Sequence, residues 1–118
     1  MQQSVQSFVG VPYVWGGETR SGTDCSGFTK TVYYEQGIII PRVSYQQYKV
    51  GSAVKKDNLD YGDLVFFNKR GWGKINHVGL FVGDGKFAQA SCSRGVTISK
   101  LSKRYYRTRY VGAKRIIQ

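Results

Sequence analysis

The sequence predicts an α+β domain in which N-terminal helices pack on an antiparallel sheet of five to six strands. Signals that start and stop helices are confined to about the first 50 residues, whereas short apolar runs separated by glycine-rich turns follow Asp63. Helices followed by hairpin-linked strands are typical of this class. With 118 residues, the chain is expected to form a single domain, 1–118, that buries a core without disulfides.

Three helices are predicted from the residues at their ends. They cover residues 2–9, 25 to about 35, and 44–50, with the loop Pro12–Gly22 between the first two. Asp24 is suited to cap the second helix, because its carboxylate can accept hydrogen bonds from the free N–H groups of the first turn. Gly37 supplies the stop of that helix, Ser44 opens the third helix, and Gly51 ends it.

Five short strands are predicted in the second half of the chain. They cover Leu64–Phe67, His77–Val82, Lys86–Ala90, Val96–Ser99 and Tyr110–Lys114. The turn Gly83-Asp84-Gly85 joins the second and third of these strands as a hairpin, because glycine and aspartate tolerate the backbone angles that a tight turn needs. We expect the helix that follows Asp24 to cover one face of the sheet.

A cysteine and a histidine are the first candidates for chemistry. Cys25 stands in the first turn of the second helix, where free N–H groups and the helix dipole favour the thiolate. His77, the only histidine, begins the second predicted strand. A nucleophilic cysteine and a histidine base are the two parts that a thiol hydrolase needs. An arbitrary pair would more often be a buried small residue and an ordinary strand residue.

Five motifs surround these two residues in a fixed order and decide between the two interpretations. They are Tyr13-x-Trp15-Gly16-Gly17, Asp24-Cys25-Ser26-Gly27, Arg42-x-Ser44-x-x-Gln47, Gly62-Asp63-Leu64-Val65-Phe66-Phe67 and His77-Val78-Gly79. From about Phe8 to Ser91, this ordered set resembles the NlpC-type cell-wall peptidases, a family of papain-like cysteine hydrolases. The resemblance implies a papain-like core and a peptidase active site.

The resemblance also implies catalytic roles. Cys25 is then the nucleophile, His77 the base, and Gln89 the third residue, at a position where the family more often carries histidine. From the hairpin we expect residues 77 and 89 to lie across from each other, so that Gln89 can orient the imidazole. The expected oxyanion donors are the Cys25 backbone N–H and the Tyr13 hydroxyl. A solvated strand position for Gln89 and core packing for Tyr13 are the plain alternatives.

The resemblance also implies that four further residues bind substrate. Asp24 and Ser26 match family residues that bind the free N-terminal amine of a stem peptide, Arg42 is expected near the cleft, and Trp15 is expected to shape its wall. Two alternatives stay open: Asp24 only caps the helix, and Arg42 is an ordinary surface arginine.

The charge of the chain predicts an anionic partner. Eighteen lysines and arginines stand against seven acidic residues, giving a net charge of +11, and no acidic residue follows Asp84. Nucleic acid, an anionic membrane and a wall polymer all fit such a surface. The segment 103–107 interleaves basic and aromatic residues, as nucleic-acid sites do, but it also alternates like a strand entry. Because of the motifs we expect an anionic wall polymer and no nucleic acid, with a solvated basic face as the alternative.

The resemblance implies a peptidoglycan hydrolase acting on wall or soluble muropeptides. We expect it to cut the stem peptide between D-glutamyl or D-isoglutaminyl and the diamino acid at position three. A catalytically silent basic module that binds a polymer, and a same-fold amidase or acyltransferase, are the alternatives.

The remaining expectations concern partners and location. We expect no cofactor, no metal, no membrane span and a monomer, and we assign Cys92 no role. The N-terminus lacks an export signal, although the expected location is secreted or in the cell envelope.

Overall fold

The computed structural model describes residues 1–70 and 73–116, and this part of the chain contains four α-helices and eight strands. The helices are α1 (Gln2–Phe8), α2 (Cys25–Tyr34), α3 (Ser44–Gln47) and α4 (Arg104–Arg107), with a 3₁₀ turn at Lys56–Asn58. The strands are β1 (Glu18–Thr19), β2 (Gly22–Thr23), β3 (Ser52–Ala53), β4 (Leu64–Phe67), β5 (His77–Gly83), β6 (Lys86–Ser91), β7 (Gly95–Lys100) and β8 (Tyr110–Arg115). None of the helices in these residues is long and apolar enough to cross a membrane.

Six of the strands form one antiparallel sheet in the order β3-β8-β4-β5-β6-β7. The predicted fold class is therefore confirmed, at the upper end of the expected strand number. β1 and β2 form a separate two-stranded hairpin inside the loop predicted for Pro12–Gly22. The two central residues of the β5–β6 turn, Asp84 and Gly85, both have positive φ, of 53° and 71°. This backbone matches the right-handed twist of the strands and explains the glycine-rich sequence of the turn.

The helix α2 begins where its sequence predicts. Asp24 is its N-cap, and the Asp24 carboxylate accepts a hydrogen bond of 2.8 Å from the Gly27 backbone N–H. Gly37 follows the helix with φ of +83°, which suits a C-terminal stop. Phe28 and Val32 on α2 are fully buried against the sheet. The cap and this apolar face fix the position of Cys25, the first residue of α2.

Both faces of the sheet are buried, which the prediction of one covered face did not include. The face towards α1 and α2 carries a core that includes Leu64, Phe66 and Leu80. The opposite face carries a second, smaller core around Phe67 and Phe87. This second core is covered in part by α4 and by the segments that flank β3.

Two predicted elements differ from the structure. The third helix ends at Gln47 and does not reach residue 50, because the chain turns there into β3, whose pairing with β8 has no local signal. The segment 103–107, whose sequence alternates like a strand entry, contains the single helical turn α4. The Tyr106 ring packs edge-on against Phe87, with ring centroids 5.0 Å apart, so a tertiary contact decides this conformation.

Candidate active site

Cys25 and His77 line the same cleft, which has a volume of about 740 Å³. Each of the other predicted site residues except Gln89 also lines this cleft, namely Tyr13, Trp15, Asp24, Ser26 and Arg42. The N-terminus of α2 forms one wall, and the start of β5 carries His77. Among the contacts of the described residues there is no hydrogen bond between the Cys25 thiol and His77. Catalytic hydrogen bonds often tighten only when substrate binds.

The Cys25 thiol is partly buried. Burial raises the pKa of Cys25, and the backbone N–H groups of Val78 and Ser26 act in the opposite direction without reversing the shift. Burial of the sulfur therefore opposes the preference for the thiolate that was expected at the helix N-terminus. The N–H contribution has the expected sign, but loss of solvent around the sulfur outweighs it.

His77 is 2% exposed, and its ring is held by Gln89. The His77 Nε2 and the Gln89 Oε1 are 2.6 Å apart. The Gln89 Nε2 donates to the Ser99 Oγ at 2.9 Å and to the Tyr106 hydroxyl at 2.6 Å. In this amide orientation the oxygen of Gln89 faces the imidazole, and His77 donates to it from Nε2. The Nδ1 atom of neutral His77 is then left as a proton acceptor.

The environment of His77 keeps its ring neutral. Burial of the ring, and then the positive charge of Lys69, lower the pKa of His77 to about 4, while the hydrogen bond with Gln89 acts to raise it. Gln89 carries no charge with which to stabilise an imidazolium ion. Above about pH 4 the imidazole at rest is therefore neutral, and burial of the neighbouring sulfur favours the neutral thiol of Cys25.

The register between β5 and β6 corrects one detail of the prediction. Leu80 pairs with Ala88, so Gln89 faces the position of Gly79, and His77 is its diagonal neighbour. The predicted direct pairing of residues 77 and 89 is wrong by two residues. The contact still forms because a long amide side chain can span the diagonal. Gly79 cannot be replaced without movement, since an added Cβ would lie 2.5 Å from the Phe87 ring.

Tyr13 enters the cleft from the loop before β1. A backbone bridge to Thr23 fixes its position beside the N-terminus of α2. Burial, and then the neighbouring Cys92 and Cys25, raise the pKa of Tyr13 to about 12. Its hydroxyl therefore keeps its proton at neutral pH and can donate a hydrogen bond into the cleft.

Asp24, Ser26 and Arg42 form one hydrogen-bonded cluster on the α2 side of the cleft. The guanidinium of Arg42 donates to both carboxylate oxygens of Asp24, at 3.0 and 2.9 Å, and to the Ser26 Oγ at 3.0 Å. Burial acts to raise the pKa of Asp24, but hydrogen bonds from Arg42 and from the Gly27 and Gly16 N–H groups lower it overall. Asp24 is therefore a helix cap and an ionised cleft residue at the same time.

Arg42 is tied to a second carboxylate outside this cluster. Its Nε lies 2.7 Å from the Glu18 Oε2. Arg42 is consequently a structural part of the cleft wall and not a free surface arginine.

Trp15 stands at the mouth of the cleft with 87% of its surface exposed. Nearly the whole indole is available to a ligand, which is unusual for the largest apolar side chain. Its neighbour Gly17 lies so close to the backbone of Gly22 that an added Cβ would be 2.4 Å from that carbonyl oxygen. The close approach explains Gly17, whereas Gly16 has a positive φ of 78° that favours glycine.

Four contributors to the site carry no signal in the sequence. Ser99 and Tyr106 hold Gln89, Lys69 acts on His77 from a loop, and Cys92 lines the cleft beside Tyr13. The structure thus gives Cys92 a place in the cleft that the sequence did not. Within residues 1–70 and 73–116, no group of three His, Cys, Asp or Glu side chains could hold a metal ion.

Comparisons with known proteins give a consistent result. The sequence model of the NlpC/P60 family matches residues 10–115. A γ-D-glutamyl-L-lysine dipeptidyl-peptidase of Bacillus cereus is 43% identical over 112 residues, which cover 93% of this chain and 34% of that protein. The Murein DD-endopeptidase MepS/Murein LD-carboxypeptidase of Escherichia coli is 42% identical over 109 residues, covering 92% of this chain and 57% of that protein.

The solved structures agree with the sequence comparisons. A crystal structure of an NlpC/P60 family protein from Bacillus cereus superposes with a TM-score of 0.93 at 40% identity, over 99% of this chain and 39% of that one. The chain thus spans between about a third and three-fifths of the length of these relatives.

Proposed function

The chain belongs to the NlpC/P60 family, and from this premise we propose that it is a peptidoglycan hydrolase that cleaves stem peptides through Cys25. One observation carries the proposal. The cleft brings the Cys25 thiol, at the start of α2, together with His77. Gln89 contacts the Nε2 of His77, which leaves its Nδ1 free. The activities for which the relatives are named, those of a dipeptidyl-peptidase and a murein endopeptidase, support the same reaction class.

The proposed reaction starts from the neutral pair. The His77 Nδ1 takes the thiol proton as the Cys25 sulfur attacks the amide carbonyl, so no preformed thiolate is needed. The oxyanion accepts hydrogen bonds from the Cys25 backbone N–H and the Tyr13 hydroxyl, each worth a few kcal/mol in comparable sites, as an order of magnitude. Protonated His77 then gives its proton to the leaving amine. Water, activated by His77, finally hydrolyses the thioester.

The proposed bond lies between a D-glutamyl or D-isoglutaminyl residue and the diamino acid that follows it. The relative from Bacillus cereus is named for γ-D-glutamyl-L-lysine, which has this linkage. On the α2 side of the cleft, the ionised Asp24 and the Ser26 hydroxyl are suited to a free N-terminal amine. Exposed Trp15 at the mouth can cover an apolar part of the bound peptide. An amidase or acyltransferase would use the same nucleophile on another acyl group.

A second part of the proposal concerns the charge of the chain. A net charge of +11 creates a field that concentrates polyanions near the surface. We infer that the basic segment, Arg94–Arg115, guides the protein to an anionic wall polymer. This places the working site outside the cytoplasm, in the envelope or secreted.

Digestion of purified peptidoglycan, followed by mass spectrometry of the soluble products, tests the reaction and the bond together. The new termini identify the bond that is cut. Cys25→Ala should release no product and keep its fold, whereas Cys92→Ser, the matched thiol control, should keep most of the activity. Sedimentation of the protein with intact walls, without any release of products by the parent, would instead support the silent binding module.

A further inference from the structure

A second cavity lies beside the catalytic cleft. It has a volume of about 410 Å³ and shares Lys69 and Cys92 with the cleft, so the two spaces adjoin. Nothing in the proposed reaction uses it. We call it the basic pocket, because Lys69, Arg94 and Lys103 line it.

The chemistry of the basic pocket is that of an anion site. Hydroxyl groups, including those of Ser99 and Tyr106, lie among its three cations, and none of the described residues that line it is acidic. In the described part of the chain, neither Arg94 nor Lys103 forms an ion pair. Arg42, by contrast, is held by two carboxylates. The basic pocket therefore holds positive charge that no acidic side chain of the described residues neutralises.

The walls of the basic pocket are held in place. The Arg109 Nε donates to the Lys69 carbonyl at 3.0 Å, and its NH1 group donates to the Tyr105 carbonyl at 3.1 Å. The same guanidinium stacks 4.0 Å from the centre of the Tyr105 ring. Arg109 thus joins the Lys69 loop to α4, the two elements on either side of the pocket. A site with fixed walls loses less entropy when it binds a ligand.

The position of the basic pocket relates it to one end of the substrate. Ser99 and Tyr106 line it and also hold the amide of Gln89, the partner of His77. The pocket therefore lies on the His77 side of the cleft. His77 must reach the leaving amine to protonate it, so the segment released with that amine occupies this same side.

We propose that the basic pocket binds a carboxylate of the peptide segment on the leaving side of the cleaved bond. The inference rests on the proposed function and adds a specificity site to it. A carboxylate on the substrate itself is favoured over a separate phosphate polymer, because its attachment to the bound peptide brings it to the pocket at high effective concentration. Arg94 and Lys103 supply the charge, and the hydroxyl groups supply further donors.

Two soluble stem peptides that differ only at the C-terminus of the leaving segment test the proposal. One ends in a carboxylate and the other in a carboxamide. The parent should cleave the carboxylate form with a kcat/KM about fivefold higher, as expected for two partly exposed ion pairs. Arg94→Gln/Lys103→Gln should lower this ratio to below about twofold, with Lys69 as the one cation left in the pocket. Lys49→Gln/Lys86→Gln, a control that removes two exposed lysines lining neither cavity, should keep the parent ratio.

Three results would overturn the inference. The parent ratio could equal one, the control pair could lose the preference as fully as the pocket pair, or glycerol phosphate could perturb the Arg94 and Lys103 NMR signals at lower concentration than the carboxylate peptide. The last result would assign the pocket to a phosphate polymer.

A binding assay separates this inference from the proposed function. Calorimetry with Cys25→Ala protein and the leaving segment alone, as carboxylate and as amide, requires no turnover. Failure of hydrolysis with a clear preference for the carboxylate would refute only the proposed reaction. Hydrolysis without any preference in either assay would refute only the pocket.

Discussion

The low pKa of His77 makes the stability of the fold depend on pH in a measurable way. The pKa of about 4 lies below the ordinary value of 6.5, so the unfolded chain binds a proton that the folded chain refuses between these two values. Stability from this group is complete above about pH 6.5 and is lost as the pH falls through about 4. The difference of about 2.5 between the two pKa values corresponds to about 3.4 kcal/mol in the free energy of unfolding. About 2 kcal/mol of this is already lost at pH 5.

His77 can be isolated experimentally because it is the only histidine in the chain. Urea unfolding of the parent and of His77→Gln at pH 8 and pH 5 gives two differences in stability. The parent should lose about 2 kcal/mol more than the variant over this range. NMR titration of the single imidazole should give a midpoint near 4 in the folded protein. The acid limb of kcat/KM should follow the same midpoint, since a neutral base is required.

A midpoint near 6.5, or equal pH dependence of the parent and His77→Gln, would contradict the argument. Either result would mean that solvent or a charged partner reaches the ring. The neutral pair would then no longer describe the resting site, and the proposed proton transfer from thiol to Nδ1 would have to be replaced by a preformed ion pair.

Three substitutions test the supports of the site, and a salt series tests the basic segment. On a soluble peptide, Gln89→Ala should lower kcat/KM by less than the roughly 10²- to 10⁴-fold expected for loss of the base. Tyr106→Phe removes one of the two groups that hold the amide and should lower kcat/KM less than Gln89→Ala does. A larger loss for Tyr106→Phe than for Gln89→Ala would contradict this order. Gly79→Ala should destabilise the fold by about 1–3 kcal/mol in urea unfolding because its Cβ meets the Phe87 ring, and an unchanged midpoint would show that the ring moves freely. Activity on whole walls should fall as salt rises from about 0.15 M to about 1 M, because the Debye length shrinks from about 8 to about 3 Å. Cleavage of a soluble peptide should change less over the same range. Equal loss on both substrates would mean that the basic segment supports the cleft and does not attract the protein to the wall.

Local signals account for the parts of the fold that were predicted correctly. The Asp24 cap, the Gly37 stop and the Gly83–Gly85 turn each depend on residues within a few positions of one another. The predicted end of the third helix at residue 50, and the strand-like alternation at 103–107, failed for the opposite reason. Their conformations depend on β8 and on the second core, which are distant in sequence and leave no local pattern.

The candidate site divides in the same way. Sequence motifs identify Cys25 and His77 as site residues, and the packing of α2 against β5 brings them to one cleft. The residues that orient Gln89 could not be found, because serine and tyrosine on β7 and α4 become partners only after the sheet forms. The expected preference for the thiolate left out the burial of the Cys25 sulfur, which raises its pKa. A helix N-terminus can be predicted from sequence, whereas the burial of a sulfur atom cannot.

The identity of the third residue connects these findings. A charged partner would stabilise an imidazolium ion, but Gln89 offers only a neutral amide oxygen, so burial and Lys69 determine the charge state of His77. The same amide is held by groups that line the basic pocket. A ligand that displaced Tyr106 or Ser99 would free Gln89 to rotate, and the tautomer of His77 would no longer be set. Under the proposed role of the basic pocket, recognition of the leaving segment and orientation of the base would share one hydrogen-bond network.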